Sequence, residues 1–283
     1  MLDPYSLFRM IWLLFGAMAI AMFSLLGRAA HAYVPKARVI LEKVGKQHGK
    51  GGYVVQQEVT FRDEKGPLTV IEEWLVESGD SMALEVRGGG QRASATYKGR
   101  QKLYVDDKGT ERSGTAGGDF FEPVFYYRGW DPLAEFLVKE KILPTKNLPR
   151  ENFKKETKEF GYVPDPFVRL SRTAGVVAFA LGTPTPAESA TALPGLWVEQ
   201  DRFLIRRLRL DTQAEVTADE YTEYSNNLWF PKVRTVSWGD QSVHMRVIKV
   251  SATKATPSAR KRPDGAKETF TSPVIAEFYK RFR

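Results

Sequence analysis

Adjacent carboxylates occur twice, at Glu72-Glu73 and at Asp106-Asp107, and these are the first residues to test for acid–base work. Neighbours on a strand point to opposite faces, so neither pair converges on one substrate. The chain has no cysteine and three histidines: His31, His48 and His244. A zinc site needs three or four suitably spaced ligands, so no metal site is expected. His48 follows a helical stretch among Gly and Lys and reads as a solvent-exposed imidazole. His244 lies in a strand beside Arg246 and reads as exposed or structural. No G-x-S-x-G elbow, P-loop, dinucleotide fingerprint or H-E-x-x-H is present. Gly88-Gly89-Gly90 lies between two strand signals with no helix start after it, so it reads as a hairpin turn rather than a phosphate cradle. The expectation is no catalytic residue, no metal and no cofactor. Glu72 alone is odd, because it shares a strand face with Val70, Trp74 and Val76. If that face is buried, Glu72 needs an Arg or Lys partner; if it is wet, Trp74 is exposed.

The elements around these residues are mostly strands. Tyr53 to Arg62 alternates Val55, Gln57, Val59 and Phe61 against polar neighbours. A turn at Asp63-Glu64-Lys65-Gly66 leads back through Pro67 to Glu77. Further strands follow around Leu84 and Val86, at 92–98 and at 102–106. Strand signals resume at 167–170 and 176–181, and continue at 196–199, 203–211, 215–224, 232–238 and 243–251. Tight turns are expected at Gln200-Asp201 and Gly239-Asp240. In all, about ten or eleven short strands with turns every eight to twelve residues describe an antiparallel meander with one wet and one buried face. Pro35 to Lys46 reads as a helix with Val39, Ile40 and Val44 on one face. Asp131 can cap a helix starting at Pro132 and ending before Pro144, with Leu133, Phe136 and Leu137 as its stripe. Pro273 to Arg283 reads as a short helix with Val274, Phe278 and Phe282 on one side. No internal repeat is visible.

The first 32 residues have the layout of an export signal. Arg9 precedes the apolar run Met10 to Leu26, and Ala30-His31-Ala32 places small residues at −3 and −1 of a cleavage point. Cleavage after Ala32 would leave a periplasmic protein beginning at Tyr33; the rival reading is an uncleaved N-terminal anchor. Without cysteine there is neither a disulfide nor a lipid-carrying N-terminal cysteine, so stability must come from packing. The formal net charge is +8. In an exported protein this favours an anionic membrane surface or an acidic partner over nucleic acid. The division expected is a leader at 1–32, a domain at 33–251 with an insertion at about 107–166, and a basic tail at 252–283.

The most specific segment is Leu196-Trp197-Val198-Glu199-Gln200-Asp201-Arg202-Phe203-Leu204-Ile205-Arg206-Arg207-Leu208. It resembles a hairpin of the periplasmic lipoprotein carriers of the LolA/LolB type and of the wider group of outer-membrane lipoprotein-sorting proteins. Tyr221-Thr222-Glu223-Tyr224 and Phe230-Pro231-Lys232-Val233 are similar to that group's next strands. Asp131-Pro132-Leu133 to Leu143 resembles its lid-helix region. The resemblance spans roughly Pro35 to Val250.

It implies a mainly β (α+β) fold: a curved antiparallel sheet forming an incomplete barrel, with an N-terminal helix and lid helices on the concave face. It further implies an apolar cavity for lipid or lipoprotein acyl chains, and so a role in trafficking to the outer membrane rather than an enzyme activity. Acyl chains would gain ~0.8 kcal/mol per buried CH₂. Trp74, Leu84, Val86, Trp130, Leu133, Phe136, Leu137, Trp197 and Leu204 are the candidate cavity residues. Arg87 and Arg92, in the early strands, are the candidates for the family's lid-locking arginine. The alternative is an envelope protein-interaction module, a sensor or assembly factor, that uses the same fold to bind a protein partner, with the aromatic stretch at 120–130 and the basic tail as contact surfaces.

Overall fold

The structure, a computed structural model, describes residues 34–63, 66–77, 79–106, 108–148, 165–254 and 269–283. The leader, the Lys154-Lys155-Glu156 part of the insertion, the centre of the basic tail and Glu64-Lys65 of the first turn lie outside the described residues.

Period-two alternation builds the sheet. In β1 (Gly52–Asp63), Tyr53, Val55, Gln57, Val59 and Phe61 are buried, and the residues between them are partly exposed. The next strands are β2 (Gly66–Val76), β3 (Ser81–Gly88), β4 (Gln91–Lys98), β5 (Gln101–Val105) and β6 (Glu111–Thr115). The second series is β7 (Val168–Thr173), β8 (Val176–Leu181), β9 (Gly195–Glu199), β10 (Ile205–Arg209), β11 (Glu215–Tyr224), β12 (Leu228–Trp238) and β13 (Gln241–Thr253). All pair antiparallel in one 13-stranded sheet, ordered β6-β5-β4-β3-β2-β1-β13-β12-β11-β10-β9-β8-β7. Two meanders thus meet where β1 pairs with β13, and a bulge at Gln56/Gln57 adjusts that register. The sheet stays open between β6 and β7: it is an incomplete barrel with helices, as the resemblance implies.

The sequence reading misses β6. Its residues, Glu-Arg-Ser-Gly-Thr, are exposed throughout and carry no apolar alternation. The three glycines do form the β3–β4 turn, with Gly88 paired to Gln91 and positive φ at all three. Gly239-Asp240 forms the β12–β13 turn. The β9–β10 connection is wider than the tight turn expected: the Glu199 N–H reaches the Leu204 carbonyl at 2.8 Å, and Phe203 takes a φ of 57°.

Among the described residues four α-helices pack on the sheet. α1 (Ala37–Gln47) buries Ala37, Ile40, Leu41 and Val44, so Leu41 rather than Val39 completes its inner stripe. Asp165 caps it from far along the chain, accepting from the Ala37 N–H at 3.0 Å. α2 (Pro123–Tyr126) is one buried turn. α3 (Trp130–Lys139) starts two residues before the expected Pro132. Gly129, at φ 86°, opens it, and Asp131 lies in the first turn instead of capping it. α1 and α3 touch so closely that a Cβ on Gly45 would lie 2.4 Å from the Gly129 nitrogen. α4 (Pro273–Phe282) forms where the sequence predicts it, but it is no appendage. Ile275, Phe278, Tyr279 and Phe282 are buried in the same cluster as the sheet, and residues 34–283 form one compact unit. The core therefore continues past residue 251, where the sequence reading ends the domain.

Candidate functional site

The trough lies on the face of the sheet that the helices cover. β2 supplies Val70, Glu72 and Trp74, and β3 supplies Leu84 and Val86. α3 turns Leu133, Phe136 and Leu137 onto the same cluster, and Trp130 packs on its margin. Spacings of three and four on α3 and of two on the strands are the ones amphipathic periods select. Trp197 is not among them. It stands on the opposite face with Ala178 and Ala180, where Arg207 and Arg209 lie 4.7 and 5.4 Å from its ring. Leu204 is buried in the β9–β10 connection and belongs to neither cluster.

The apolar cavity expected between the sheet and residues 131–143 is filled. Trp74, Phe121, Leu133, Leu137, Phe278 and Phe282 all have 0% exposure, so no space for a water molecule adjoins them. The filler is α4. Phe278 meets Phe61 edge-on at 5.3 Å, and Phe282 lies 5.0 Å from Trp238 and 6.0 Å from Phe121. Backbone contacts hold the end of the helix: the Gly117 N–H donates to the Arg283 carbonyl and the Asp119 N–H to the Arg281 carbonyl, each at 3.0 Å. A Cβ on Gly117 would meet the Arg281 carbonyl at 2.1 Å, so only glycine lets the two segments approach this closely.

The helix brings a charge with it. The Arg283 guanidinium is 1% exposed and lies between two carboxylates, 3.1 Å from Glu72 and 2.8 Å from Glu122. Trp74, Phe121 and Phe278 surround it at 5.0–5.5 Å. Glu72 also accepts from Gln57 Nε2 at 2.7 Å, Tyr279 Oη at 2.8 Å and Trp74 Nε1 at 2.9 Å. Glu122 pairs with Arg234 at 2.6 Å, and Arg234 donates to Gln57 at 2.7 Å. Burial pushes the Glu72 carboxyl up, but Arg283 and the hydrogen bonds from Tyr279 and Trp74 outweigh it and hold Glu72 below the usual carboxylate range. Glu122 has fewer donors, and burial raises it despite Arg234 and Arg283. This settles the open question about Glu72: its face is buried, Trp74 with it, and the partner is Arg283.

Arg87 and Arg92 do not lock anything in the trough. They oppose each other across β3 and β4 with exposed side chains. The Arg92 backbone instead pairs with Thr269, which leads the chain towards α4. Glu122, Arg234 and Arg283 were missed by sequence reasoning, although a signal existed. Arg234 alternates in phase with Val236 and Trp238, and Arg283 follows Ile275 and Tyr279 at helical spacing.

His48 corrects another expectation. It is buried, and its Nδ1 lies 2.6 Å from the Tyr127 carbonyl. Burial lowers its pKa to about 4, against the raising effect of that hydrogen bond. His244 is exposed, as expected, beside Thr235. A pocket of about 280 Å³ is lined by Lys50, Tyr53, Glu223, Leu228 and Val250 among others. Among the described residues no group of three or more His, Asp or Glu could hold a metal ion.

Among solved structures, a LolA superfamily protein from Nitrosomonas europaea aligns over 79% of this chain and 96% of its own, with a TM-score of 0.50 and 10% identity. The fold is LolA-like. A domain from Vibrio parahaemolyticus, named for outer membrane lipoprotein sorting, aligns over 76% of this chain and 91% of its own (TM-score 0.45, 10% identity). A DUF1329 family protein from Desulfovibrio piger aligns over 79% and 94% (TM-score 0.48, 8% identity). No protein-family model and no curated protein matches the chain. In this LolA-like sheet α1, α2, α3 and α4 all bury side chains in the one cluster on the covered face. Among the described residues no helix is long and apolar enough to cross a membrane.

Proposed function

We propose that this is an exported cell-envelope protein whose LolA-like trough binds a hydrophobic guest, a lipid or lipoprotein acyl chain, on its way to the outer membrane. The observation that carries this reading is the occupant itself. α4 offers Ile275, Phe278 and Phe282 to the concave face, an apolar body held where a guest would lie. A guest enters only when α4 withdraws, so the filled trough is the unloaded form. Hydrocarbon replacing those side chains would recover the apolar burial that α4 gives up. Organic extraction and mass spectrometry of protein purified from its native envelope should release lipid. A lipid-free protein that also fails to take up acyl chains added in solution overturns the reading.

The same occupant supports a second reading. α4 is an amphipathic helix, so the trough suits a helical segment of an envelope protein partner. Under this reading the protein carries no lipid and captures one partner, which α4 residues compete for.

A further inference from the structure

We propose that Glu72 and Glu122 form a cation subsite in the floor of the trough, and that the guest which displaces α4 is a lipid with an ammonium or guanidinium head and no net negative charge. The proposal rests on the reading of the trough as a binding site. The sheet and the two residues that lead into α2 supply the subsite: Glu72, Trp74, Phe121 and Glu122 all remain when α4 leaves. Arg283 occupies it now, with its guanidinium bridging both carboxylates inside aromatic walls.

The charge count decides the chemistry of the guest. With α4 seated, two carboxylates face two guanidinium groups, Arg234 and Arg283. When α4 withdraws, Arg234 stays with Glu122 and Gln57, and Glu72 keeps only the neutral donors Gln57 and Trp74. A plain hydrocarbon would then lie against an unpaired buried carboxylate, which is costly. A fatty-acid head would add a second negative charge to it. A cationic head restores the pairing that Arg283 gave, with alkyl chain in place of Phe278 and Phe282.

The test is calorimetric titration of the full chain with dodecylguanidinium, dodecanoate and dodecanol, each below its micelle concentration. The net charge of +8 favours dodecanoate in the absence of a local site, so preference for the cation reports the subsite. Dodecylguanidinium should bind one to one, at least tenfold tighter than either other amphiphile, and should speed amide hydrogen exchange in α4. Arg283→Ala, which leaves the carboxylates open, should bind it a further tenfold tighter. Glu72→Gln, which removes the charge a hydrocarbon would otherwise lie against, should abolish the preference by weakening dodecylguanidinium and strengthening dodecanol. Equal binding of the three amphiphiles, or a preference that survives Glu72→Gln, overturns the cation subsite and leaves the trough reading standing. No binding of any amphiphile to wild type or to Arg283→Ala overturns both. Should Glu72→Gln not fold, the wild-type preference and the gain in Arg283→Ala decide.

Discussion

A buried carboxylate must find donors or lose its charge, and Glu72 finds four residues that supply them: Gln57, Trp74, Tyr279 and Arg283. Removing one member of such a pair leaves the other charge buried. Arg283→Met should therefore lower the unfolding free energy by about 3–5 kcal/mol in urea titrations. Arg87→Ala, which breaks only an exposed contact with Glu73, should cost less than about 1 kcal/mol. His48 carries a pH dependence of definite sign. Its folded pKa of about 4 lies below its unfolded value near 6.5, so between these values the unfolded chain binds the extra proton. Stability from this residue is complete above about pH 6.5, falls on acidification and levels off below about pH 4, by up to ~3 kcal/mol. Glu140, which burial pushes up to about 7, works in the opposite sense over a similar range. The difference between wild type and His48→Gln cancels that background: the gap in urea midpoints should narrow as the pH drops from 7 to 5. Alternation in β2 made the problem of Glu72 legible, because the residue is in phase with Val70, Trp74 and Val76. Its partner was not legible, since 211 positions separate Glu72 from Arg283.

At the scale of elements, two close approaches set how the helices sit. Gly117 lets the β6–α2 connection lie against the end of α4, and Gly45 lets α1 lie against the start of α3. Gly117→Ala should loosen α4 and cost about 1–3 kcal/mol, seen as faster proteolysis within 273–283 while β1 to β4 stay protected. Hydrogen exchange should rank the strands. β6 is exposed along its whole length at a sheet edge and should exchange first; β1, paired on both sides, should exchange last. Elements with strong periods were readable: β1, β3, α1 and α4 appear within a few residues of expectation. β6 was not, because an edge strand with no buried side chain leaves no pattern. Trp197 shows the limit of pattern reading on the site. Its neighbours Leu196 and Val198 face the trough, and the pleat sends the indole the other way, under Arg207 and Arg209.

For the whole molecule, the leader-like first 32 residues and the net charge make predictions that do not depend on the proposed guest. Protein produced from the full-length sequence and recovered from the periplasm should have the mass of residues 33–283. A mass that retains residues 1–32, in the membrane fraction, would show an anchor instead. Vesicles with anionic lipid should retain more of the protein at low salt than neutral vesicles do, and the excess should vanish at high salt.

Local rules, period-two and 3.6-residue alternation with turn glycines, were enough to specify an antiparallel meander and its amphipathic helices, the family resemblance alone implied that the helices cover one face, and the small residues before Tyr33 specified an expectation of export. Whether the trough stands empty was beyond them. That depends on where α4 docks, and its docking is a long-range event: a charged residue and an aromatic stripe, remote in the chain, meet carboxylates and rings of the sheet only when all the strands are in place. Periodicity reports which face a side chain takes, and it carries no information on what arrives to cover that face.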